Sequence, residues 1–269
     1  MLKSLTEYIA NAPENRVSSE YAIAPELVGL PLYGEPILAV GDAADPLFAD
    51  LRKPEAVGEW FRTPAQWLPG ARRVISFFLP YSEEVCRSNY TGTDPSAMWL
   101  HGRIEGNAFL LQVSRWLCDQ LKNEGYEAVI PALDPAFRMV EKAKEPGDPS
   151  FTSSWSERHV GYVCGLGTFG LSRGLITEKG MAGRIGSVIT TAELPVTERP
   201  YTDISEYCTN CGAGIRRCPV GAITPAGKIH EPCSEYLSDT KRRHAARYGC
   251  GKCQVKVPCM DRIPKKTDR

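Results

Sequence analysis

The sequence predicts a layered α/β (α+β) domain over residues 1–198, followed by a small cysteine-rich domain over residues 199–269. Three observations predict this division. In the first part, a buried strand, a long amphipathic helix and a second strand follow one another, which is typical of a layered α/β domain. Seven of the ten cysteines lie in the last 62 residues. The formal charge is −7 in the first part (18 Lys and Arg, 25 Asp and Glu) and +7 in the second (14 and 7).

The three main elements of the first part follow from their residue patterns. Arg72–Tyr81 is a short run rich in apolar and β-forming residues, which predicts a buried strand. From Trp99 to Asn123, apolar residues recur at helical spacing with polar residues between them, and Gly125 suits the end of that helix. Tyr126–Pro131 predicts the second strand.

Shorter elements complete the first part. Residues 141–154 are polar and contain prolines and a glycine, which predicts a surface loop. Glu157–Cys164 predicts a helix. The apolar runs Gly174–Thr177 and Ile185–Thr191 are joined by a glycine-containing segment and predict a β-hairpin. Residues 194–205 contain two prolines and predict the linker to the cysteine-rich part.

Composition restricts the class of protein. With 42% hydrophobic and 24% charged residues, the chain is a globular protein and not a disordered one. No stretch approaches the roughly 18 consecutive apolar residues of a membrane span, and the first residues do not resemble a secretory signal. We therefore expect a cytoplasmic protein without a membrane partner. The formal net charge of zero argues against a dedicated nucleic-acid binder.

The cysteine spacing is the strongest chemical signal in the chain. Bacterial ferredoxins hold [4Fe–4S] clusters with the pattern C-x2-C-x2-C-x3-C-P, whose fourth cysteine binds the other cluster. Residues 208–219 (CTNCGAGIRRCP) match three of these cysteines and the proline, with Gly214 at the third position. Four further cysteines follow, at Cys233, Cys250, Cys253 and Cys259. In a cytoplasmic chain such spacings indicate metal binding and not disulfides.

The exchange of the fourth cysteine between clusters divides the seven thiols into two sets. One set is complete and comprises Cys218, Cys233, Cys250 and Cys253. The other set has three thiols, Cys208, Cys211 and Cys259. We therefore expect a ferredoxin-like domain with two [4Fe–4S]-type clusters. In the second cluster one iron has an open position, is lost to leave a three-iron cluster, or takes a ligand from elsewhere, such as Cys164. Zinc is the alternative, because paired C-x2-C motifs also build zinc ribbons.

A glycine motif precedes the cysteine-rich part. Gly165, Gly167 and Gly170 have the spacing of the dinucleotide fingerprint G-x-G-x-x-G, but that fingerprint follows a strand and opens a helix. Here the motif follows a predicted helix, so we expect a tight turn that approaches a neighbour or a bound cofactor closely. Arg184, predicted in the glycine-rich hairpin turn, is a candidate for binding an anionic group. His159, in the predicted helix, is a candidate for facing a ligand.

Residues 157–170 (ERHVGYVCGLGTFG), the β segments after them and the cysteine region 208–259 together resemble the epoxyqueuosine reductases, iron–sulfur proteins related to the reductive dehalogenases. The resemblance covers about residues 150–260 well and the rest loosely. It implies an N-terminal module that can hold cobalamin against the first cluster, and electrons delivered one at a time to the cobalt. The implied reaction is reductive removal of an oxygen or a halogen from a small-molecule substrate, with ferredoxin or flavodoxin as electron donor.

Three features differ from that family. Its members carry a catalytic aspartate just before the glutamate-led helix, whereas the matching stretch 151–157 has no acid at that place, and Asp134 and Asp148 do not align with it. Gly214 stands at a ligand position. No helical-repeat extension follows residue 269 and the net charge is zero, so tRNA is not an expected substrate. We predict a divergent iron–sulfur oxidoreductase and not a true epoxyqueuosine reductase.

Two other functions stay open at this point. A pure electron carrier or partner subunit needs only an exposed cluster edge. A corrinoid-binding or corrinoid-reducing accessory protein needs a broad cavity over residues 165–170. A catalytic enzyme needs an enclosed cavity beside a cluster, with polar groups converging on it.

Overall fold

The computed structural model describes residues 1–141, 150–245 and 247–266. The strands are Ile37–Asp42 (β1), Arg73–Pro80 (β2), Ala128–Val129 (β3), Met139–Val140 (β4), Thr152–Ser153 (β5), Gly167–Phe169 (β6), Leu175–Thr177 (β7), Gly183–Thr190 (β8), Ile223–Thr224 (β9) and Gly227–Lys228 (β10). The helices are Leu2–Asn11 (α1), Pro46–Asp50 (α2), Pro64–Trp67 (α3), Glu83–Ser88 (α4), Ala97–Asn123 (α5), Glu157–Cys164 (α6), Ala213–Arg217 (α7) and His230–Arg243 (α8). Short 3₁₀ turns cover Pro13–Asn15, Pro25–Leu27 and Pro131–Leu133.

The central element is a four-stranded sheet in the order β1-β2-β8-β3, and each neighbouring pair is antiparallel. Its register is fixed along β2, where Ile75 lies opposite Val40 on one side and Val188 on the other. Side chains of β2 alternate between two buried faces. Ile75, Phe77 and Leu79 belong to one apolar cluster, and Val74 and Phe78 belong to the other. The continuous apolar run in the sequence is therefore explained, because both faces of this strand are covered.

The two faces of the sheet are covered by different helices. Phe109, Val113 and Leu117 of α5 pack on the first face, and Val160 and Val163 of α6 pack on the second. The order of layers is helix, sheet, helix, which confirms the mixed α/β layered class. Because the sheet is antiparallel, α+β is the more accurate description.

The predicted strand over 72–81 and the predicted helix over 99–123 are confirmed as β2 and α5. The helix begins two residues earlier than its predicted start, because the hydroxyl of Ser96 accepts the backbone N–H of Trp99 and caps the helix. The helix ends at Asn123, and Gly125 adopts φ 89° just beyond it. The second predicted strand, 126–131, is wrong in length, because only Ala128 and Val129 pair with β8.

The predicted hairpin between 174–177 and 185–191 is wrong. Strand β7 pairs with β6, so that Leu175 faces Phe169, whereas β8 lies in the central sheet between β2 and β3. The physical reason is burial, because the last residues of β8 are apolar or small on both faces and fit a central position. The predicted loop over 141–154 is partly wrong, since Thr152–Ser153 pairs with β4; residues 142–149 lie outside the described residues.

The cysteine-rich part packs directly on the first part. Val255 belongs to the apolar cluster under α5. The backbone N–H of Met181 donates to the carbonyl of Cys259 over 3.0 Å, and the amide of Asn89 donates to the carbonyl of Cys250 over 2.8 Å. The boundary at residue 199 stays a prediction. Among the helices of the described residues, none combines the length and the apolar character needed to cross a membrane.

Candidate functional site

Four of the predicted ligand thiols lie near enough to act on one another electrostatically. Burial is the main cause that raises the pKa of Cys250 to about 11 and that of Cys253 to about 12, and the thiols of Cys233 and Cys218 contribute to both values. Cys218 lies at the end of α7 and Cys233 lies in the first turn of α8. The complete set thus lies in one region of the fold, although its members come from separate segments of the chain.

The other three predicted ligand thiols form a second group. Burial is the main cause that raises the pKa of Cys259 to about 12, and the thiols of Cys208 and Cys211 contribute to that value. The Cys259 thiol also donates to the thioether sulfur of Met181, 3.3 Å away. Binding of iron must therefore remove protons that these buried thiols otherwise hold firmly.

The thiolate donors of the two groups suit iron–sulfur clusters. In the described part of the chain, no group of three or more His, Cys, Asp or Glu side chains is arranged to hold a single metal ion. A cluster spreads its thiolates over the corners of a larger body, and backbone N–H groups commonly donate to its sulfurs. Such a bond is already present here, since the N–H of Ala222 donates to the Cys218 sulfur over 3.2 Å.

The backbone around the thiols suits an anionic group as well. Asn210 and Gly212, on either side of Cys211, both have positive φ (52° and 70°), and Gly251, between Cys250 and Cys253, has φ 64°. Alternation of right- and left-handed residues turns successive N–H groups toward one point, which is a common device for binding anions and iron–sulfur clusters. The donor set and the backbone therefore both fit the clusters that the cysteine spacing predicts.

A cavity of about 670 Å³ lies between α6 and the cysteine-rich part. The first part of the chain contributes Phe151, Ser156, Arg158, His159, Tyr162, Phe169, Gly170 and Arg173 to its wall, and the second part contributes Ser205, Cys208, Asn210 and His230. Its volume is within the usual range for small-molecule sites. The thiol of Cys208 belongs to the three-thiol group, so the cavity borders that group directly.

The wall formed by α6 carries positive charge. Arg158 donates to the carbonyl of Arg173 over 3.0 Å, and its charge interacts with the thiols of Cys253 and Cys233. Burial, together with Arg158 and Arg173, lowers the pKa of His159 to about 4, so this imidazole is neutral at pH 7. Its Nδ1 lies 2.8 Å from the hydroxyl of Ser156.

Among its described residues, the stretch before α6 brings an aromatic ring and no carboxyl to the cavity wall. Phe151 lines the cavity with φ 54° and stacks on the imidazole of His230 at a centroid distance of 4.8 Å. Glu157 is the first residue of α6, but its carboxylate accepts the hydroxyl of Ser187 over 2.6 Å and does not line the cavity. Burial raises the pKa of Glu157 to about 7.

The predicted cofactor-binding residues have different positions. Gly170 lines the cavity, as the resemblance implies for a turn near a cofactor. Gly165, at φ 103°, ends α6, and Gly167 packs against the backbone of Ile176 in β7, so both have structural roles. The prediction that Arg184 lies in a turn is wrong. It lies in β8, paired with Leu79, and donates to the hydroxyl of Tyr81 over 3.0 Å because β8 extends further than the sequence suggests.

Cys164, the suggested additional ligand, is instead buried in the second apolar cluster. Its thiol is 1% exposed, packs against Gly41 and donates to the carbonyl of Val74. Three cavity residues were not predicted from the sequence: Phe151, Arg173 and His230. Only His230 had a usable signal, because it precedes Cys233 by three residues and so shares one face of a helix with a predicted ligand.

Comparisons with known proteins identify the fold. No protein-family model and no curated protein sequence matches the chain. An epoxyqueuosine reductase from Bacillus subtilis matches with a TM-score of 0.51 and 18% identity, over 99% of this chain and 70% of that one. An epoxyqueuosine reductase solved with a tRNA-Tyr stem loop matches over the same shares with a TM-score of 0.50 and 18% identity. A reductive dehalogenase studied for B12-dependent dehalogenation matches with a TM-score of 0.51 and 14% identity, over 87% of this chain and 31% of that one.

The chain therefore has an epoxyqueuosine reductase-like fold, which it shares with these structures at low sequence identity. This confirms the resemblance stated from the residues 157–170 and the cysteine region. The expectation that tRNA is not a partner gains no support, because one of the similar structures holds a tRNA stem loop.

Proposed function

We propose that this protein is an iron–sulfur oxidoreductase that passes electrons through two [4Fe–4S]-type clusters to an acceptor bound in the cavity beside α6. One observation carries the proposal. Cys208 lines the cavity of about 670 Å³ together with Arg158, His159 and Gly170. An electron-transfer group and a substrate-sized space thus border each other, as a reductase requires.

The two thiol groups take different roles in this proposal. When bound, the clusters supply one-electron transfer. The Cys208, Cys211 and Cys259 group borders the cavity through Cys208 and is the site from which the acceptor receives electrons. The complete group includes Cys250 and Cys253 and receives electrons from a donor such as ferredoxin or flavodoxin.

The side chains of the cavity favour an acceptor with an anionic group. Arg158 and Arg173 contribute two permanent positive charges, and the neutral His159 adds none. On the opposite wall, the carboxylate of Asp50 is paired with Lys53 over 2.8 Å, and Glu55 adds a second carboxylate, so the three cations and two carboxylates of the described wall leave a net charge of +1. Among the described residues of the stretch before α6, none supplies a carboxyl to the cavity, which is the reason to separate this protein from true epoxyqueuosine reductases.

The acceptor is a corrinoid or a small molecule that loses an oxygen or a halogen on reduction. The corrinoid is favoured by one comparison, because the similar dehalogenase acts in a B12-dependent way. A pure electron carrier is the less favoured alternative, since it has no use for a cavity lined by Arg158 and His159.

Anaerobic purification with iron and sulfide counting and EPR tests the clusters. Titration with cobalamin, followed by visible spectroscopy before and after dithionite, then tests the cavity. We expect a brown protein that binds cobalamin, and at least about tenfold weaker binding in Arg158→Met, because a positive charge on the cavity wall is lost. The matched control Arg115→Met, on the exposed side of α5, should bind normally.

Two results would overturn the proposal. A colourless protein, or one that holds only zinc, removes the clusters. Clusters without any effect of Arg158→Met on acceptor binding remove the cavity and leave the carrier.

A further inference from the structure

We infer that the cluster held by Cys208, Cys211 and Cys259 has one iron without a protein thiolate, and that this iron binds a small exchangeable ligand such as water, hydroxide, cyanide or an added thiol. The inference rests on the proposed presence of the clusters and goes beyond the proposed function. It identifies a ligand-binding iron at the edge of the cavity.

Gly214 stands where the ferredoxin pattern has its third cysteine. A glycine is required where φ is positive or where a Cβ atom has no room. Neither reason applies to Gly214. It lies within α7 and is absent from the residues with positive φ, in contrast to Gly212 at φ 70°, and a Cβ atom added to it would meet no atom within 4 Å. The backbone therefore accepts a cysteine here, and the fold does not require glycine.

The other three thiols of the chain belong to the apolar core. Cys86, Cys118 and Cys164 are each 5% exposed or less, and each belongs to one of the two apolar clusters. The thiols of Cys118 and Cys164 donate to the carbonyls of Ala128 and Val74, which lie in the central sheet.

Side-chain oxygens near the group already have partners. Before Cys208, the carboxylates of Asp203 and Glu206 accept backbone N–H groups of their own turn. After Cys259, the carboxylate of Asp261 pairs with Arg262 over 3.5 Å, and the side-chain oxygen of Asn210 accepts the thiol of Cys208 over 3.5 Å. The thioether of Met181 lies 3.3 Å from the Cys259 sulfur and accepts its thiol hydrogen. At this distance the thioether packs against the Cys259 sulfur. We therefore assign Met181 to packing against Cys259 and not to binding iron.

The open iron has access to small molecules because the cluster borders the cavity. Cys208 and Asn210, which belong to the same loop as Cys211, both line the cavity wall. Loss of the open iron needs no further reactant, because a [4Fe–4S]²⁺ core separates into a [3Fe–4S]⁰ core and Fe²⁺ with charge and electrons conserved. One equivalent of ferricyanide then takes one electron and gives [3Fe–4S]⁺ and ferrocyanide.

The test compares anaerobically purified full-length wild type with Gly214→Cys, and uses Gly214→Ala as the matched control that adds a Cβ atom without a thiol. Each protein is treated with one equivalent of ferricyanide and a ferrous-iron chelator, and iron counting and EPR follow. We expect wild type and Gly214→Ala to lose one iron per chain and to show the signal of an oxidised three-iron cluster. Gly214→Cys should keep that iron and show no such signal.

A second measurement detects the ligand itself. Cyanide added to the dithionite-reduced protein should change the EPR spectrum of wild type and of Gly214→Ala, and leave that of Gly214→Cys unchanged. Met181→Leu should behave as wild type in both measurements. A wild type that resists iron loss, a Gly214→Cys variant that loses iron like wild type, or a Met181→Leu variant that alone gains the three-iron signal overturns the inference. A protein without any iron overturns the proposed function instead, so the two failures are distinguishable.

Discussion

The ammonium of Lys252 donates to the backbone carbonyl of Thr91 over 2.7 Å, although Lys252 is only 1% exposed. It makes a second bond to the carbonyl of Asn89, and Arg217 donates to the carbonyl of Lys252 over 2.8 Å. Burial lowers the pKa of Lys252, and the nearby thiol of Cys250 acts in the opposite direction. Buried cations are costly unless an opposite charge compensates them, and an anionic cluster on the four-thiol group supplies that charge.

Replacement of Lys252 by Met should lower the reduction potential of the cluster at the four-thiol group, because a positive charge that favours the more negative, reduced state is removed. It should also destabilise the protein by about 1–3 kcal/mol, since the carbonyl of Thr91 loses its donor and that of Asn89 keeps only Arg217. Redox titration followed by EPR measures the potential, and the apparent melting temperature measures the stability. Lys241→Met, on the exposed side of α8, is the control. An unchanged potential in Lys252→Met would show that this charge does not act on the cluster.

Gly251 provides a second test of how the four-thiol group is held. It combines φ 64° with close packing, because an added Cβ atom would overlap the indole ring of Trp99 in α5. Gly221 has a similar φ of 63° but open space around it. Gly221→Ala should cost about 1–2 kcal/mol from backbone strain alone, and Gly251→Ala should cost about 1–3 kcal/mol more from overpacking.

We therefore expect Gly251→Ala, but not Gly221→Ala, to lose iron from the cluster bound by Cys250 and Cys253 during anaerobic purification. Iron counting and the apparent melting temperature check both variants. Equal loss in the two variants would mean that strain, and not the contact with Trp99, decides how this loop is held.

The main elements of the fold could be predicted because local pattern and burial agree there. Helix α5 has apolar residues at helical spacing, and β2 is a continuous apolar strand buried on both faces. The hairpin prediction failed because the pairing of β8 is decided by distant residues. Its partner Ile75 in β2 lies more than a hundred positions away in the sequence, and no local turn signal reports that contact.

The candidate site could also be predicted only in part. The two thiol sets were predicted from the cysteine spacing and from the known exchange of one cysteine between clusters. The cavity could not, because its walls come from separate segments. The stack of Phe151 on His230 joins residues almost eighty positions apart, and the left-handed conformation of Arg173 has no signature in the sequence.

The buried carboxyl of Glu157 predicts a specific pH dependence. Burial raises its pKa from 4.5 to about 7, so the folded protein binds this proton more tightly than the unfolded chain does. Its contribution to stability is therefore fully present below about pH 4.5 and is lost as the pH rises through 7. Glu157→Gln cannot ionise, so the variant should not show the loss of about 2 kcal/mol in the free energy of unfolding that wild type shows between about pH 5.5 and about pH 8.

The apparent melting temperatures of wild type and Glu157→Gln, measured anaerobically at about pH 5.5 and about pH 8, test this linkage. Wild type should lose more stability than the variant between the two values. The hydroxyl of Ser187 can still donate to the amide oxygen of the variant, so the packing around Trp155 is kept. Parallel curves for the two proteins would contradict a raised pKa at this carboxyl.

Phe151 gives the sharpest test of how this protein differs from the reductases it resembles. Phe151→Asp places a carboxyl on the cavity wall at a position where φ is 54°, a conformation that Asp accepts more readily than Phe. The loss of the stack on His230 offsets the relief of strain, so we expect stability within about 1 kcal/mol of wild type. The added negative charge should raise the pKa of His230, which burial lowers in the wild type.

Turnover of epoxyqueuosine in a tRNA stem loop, followed by mass spectrometry of the nucleosides, is the functional measurement. Wild type should give no product, because no carboxyl of the stretch before α6 reaches the described cavity wall to donate a proton. Phe151→Asp should exceed Phe151→Asn, the control of equal shape without an ionisable proton, by at least about tenfold, since a positioned general acid contributes that much or more. Efficient turnover by wild type would instead mean that the protein is an epoxyqueuosine reductase that uses a proton donor outside this stretch.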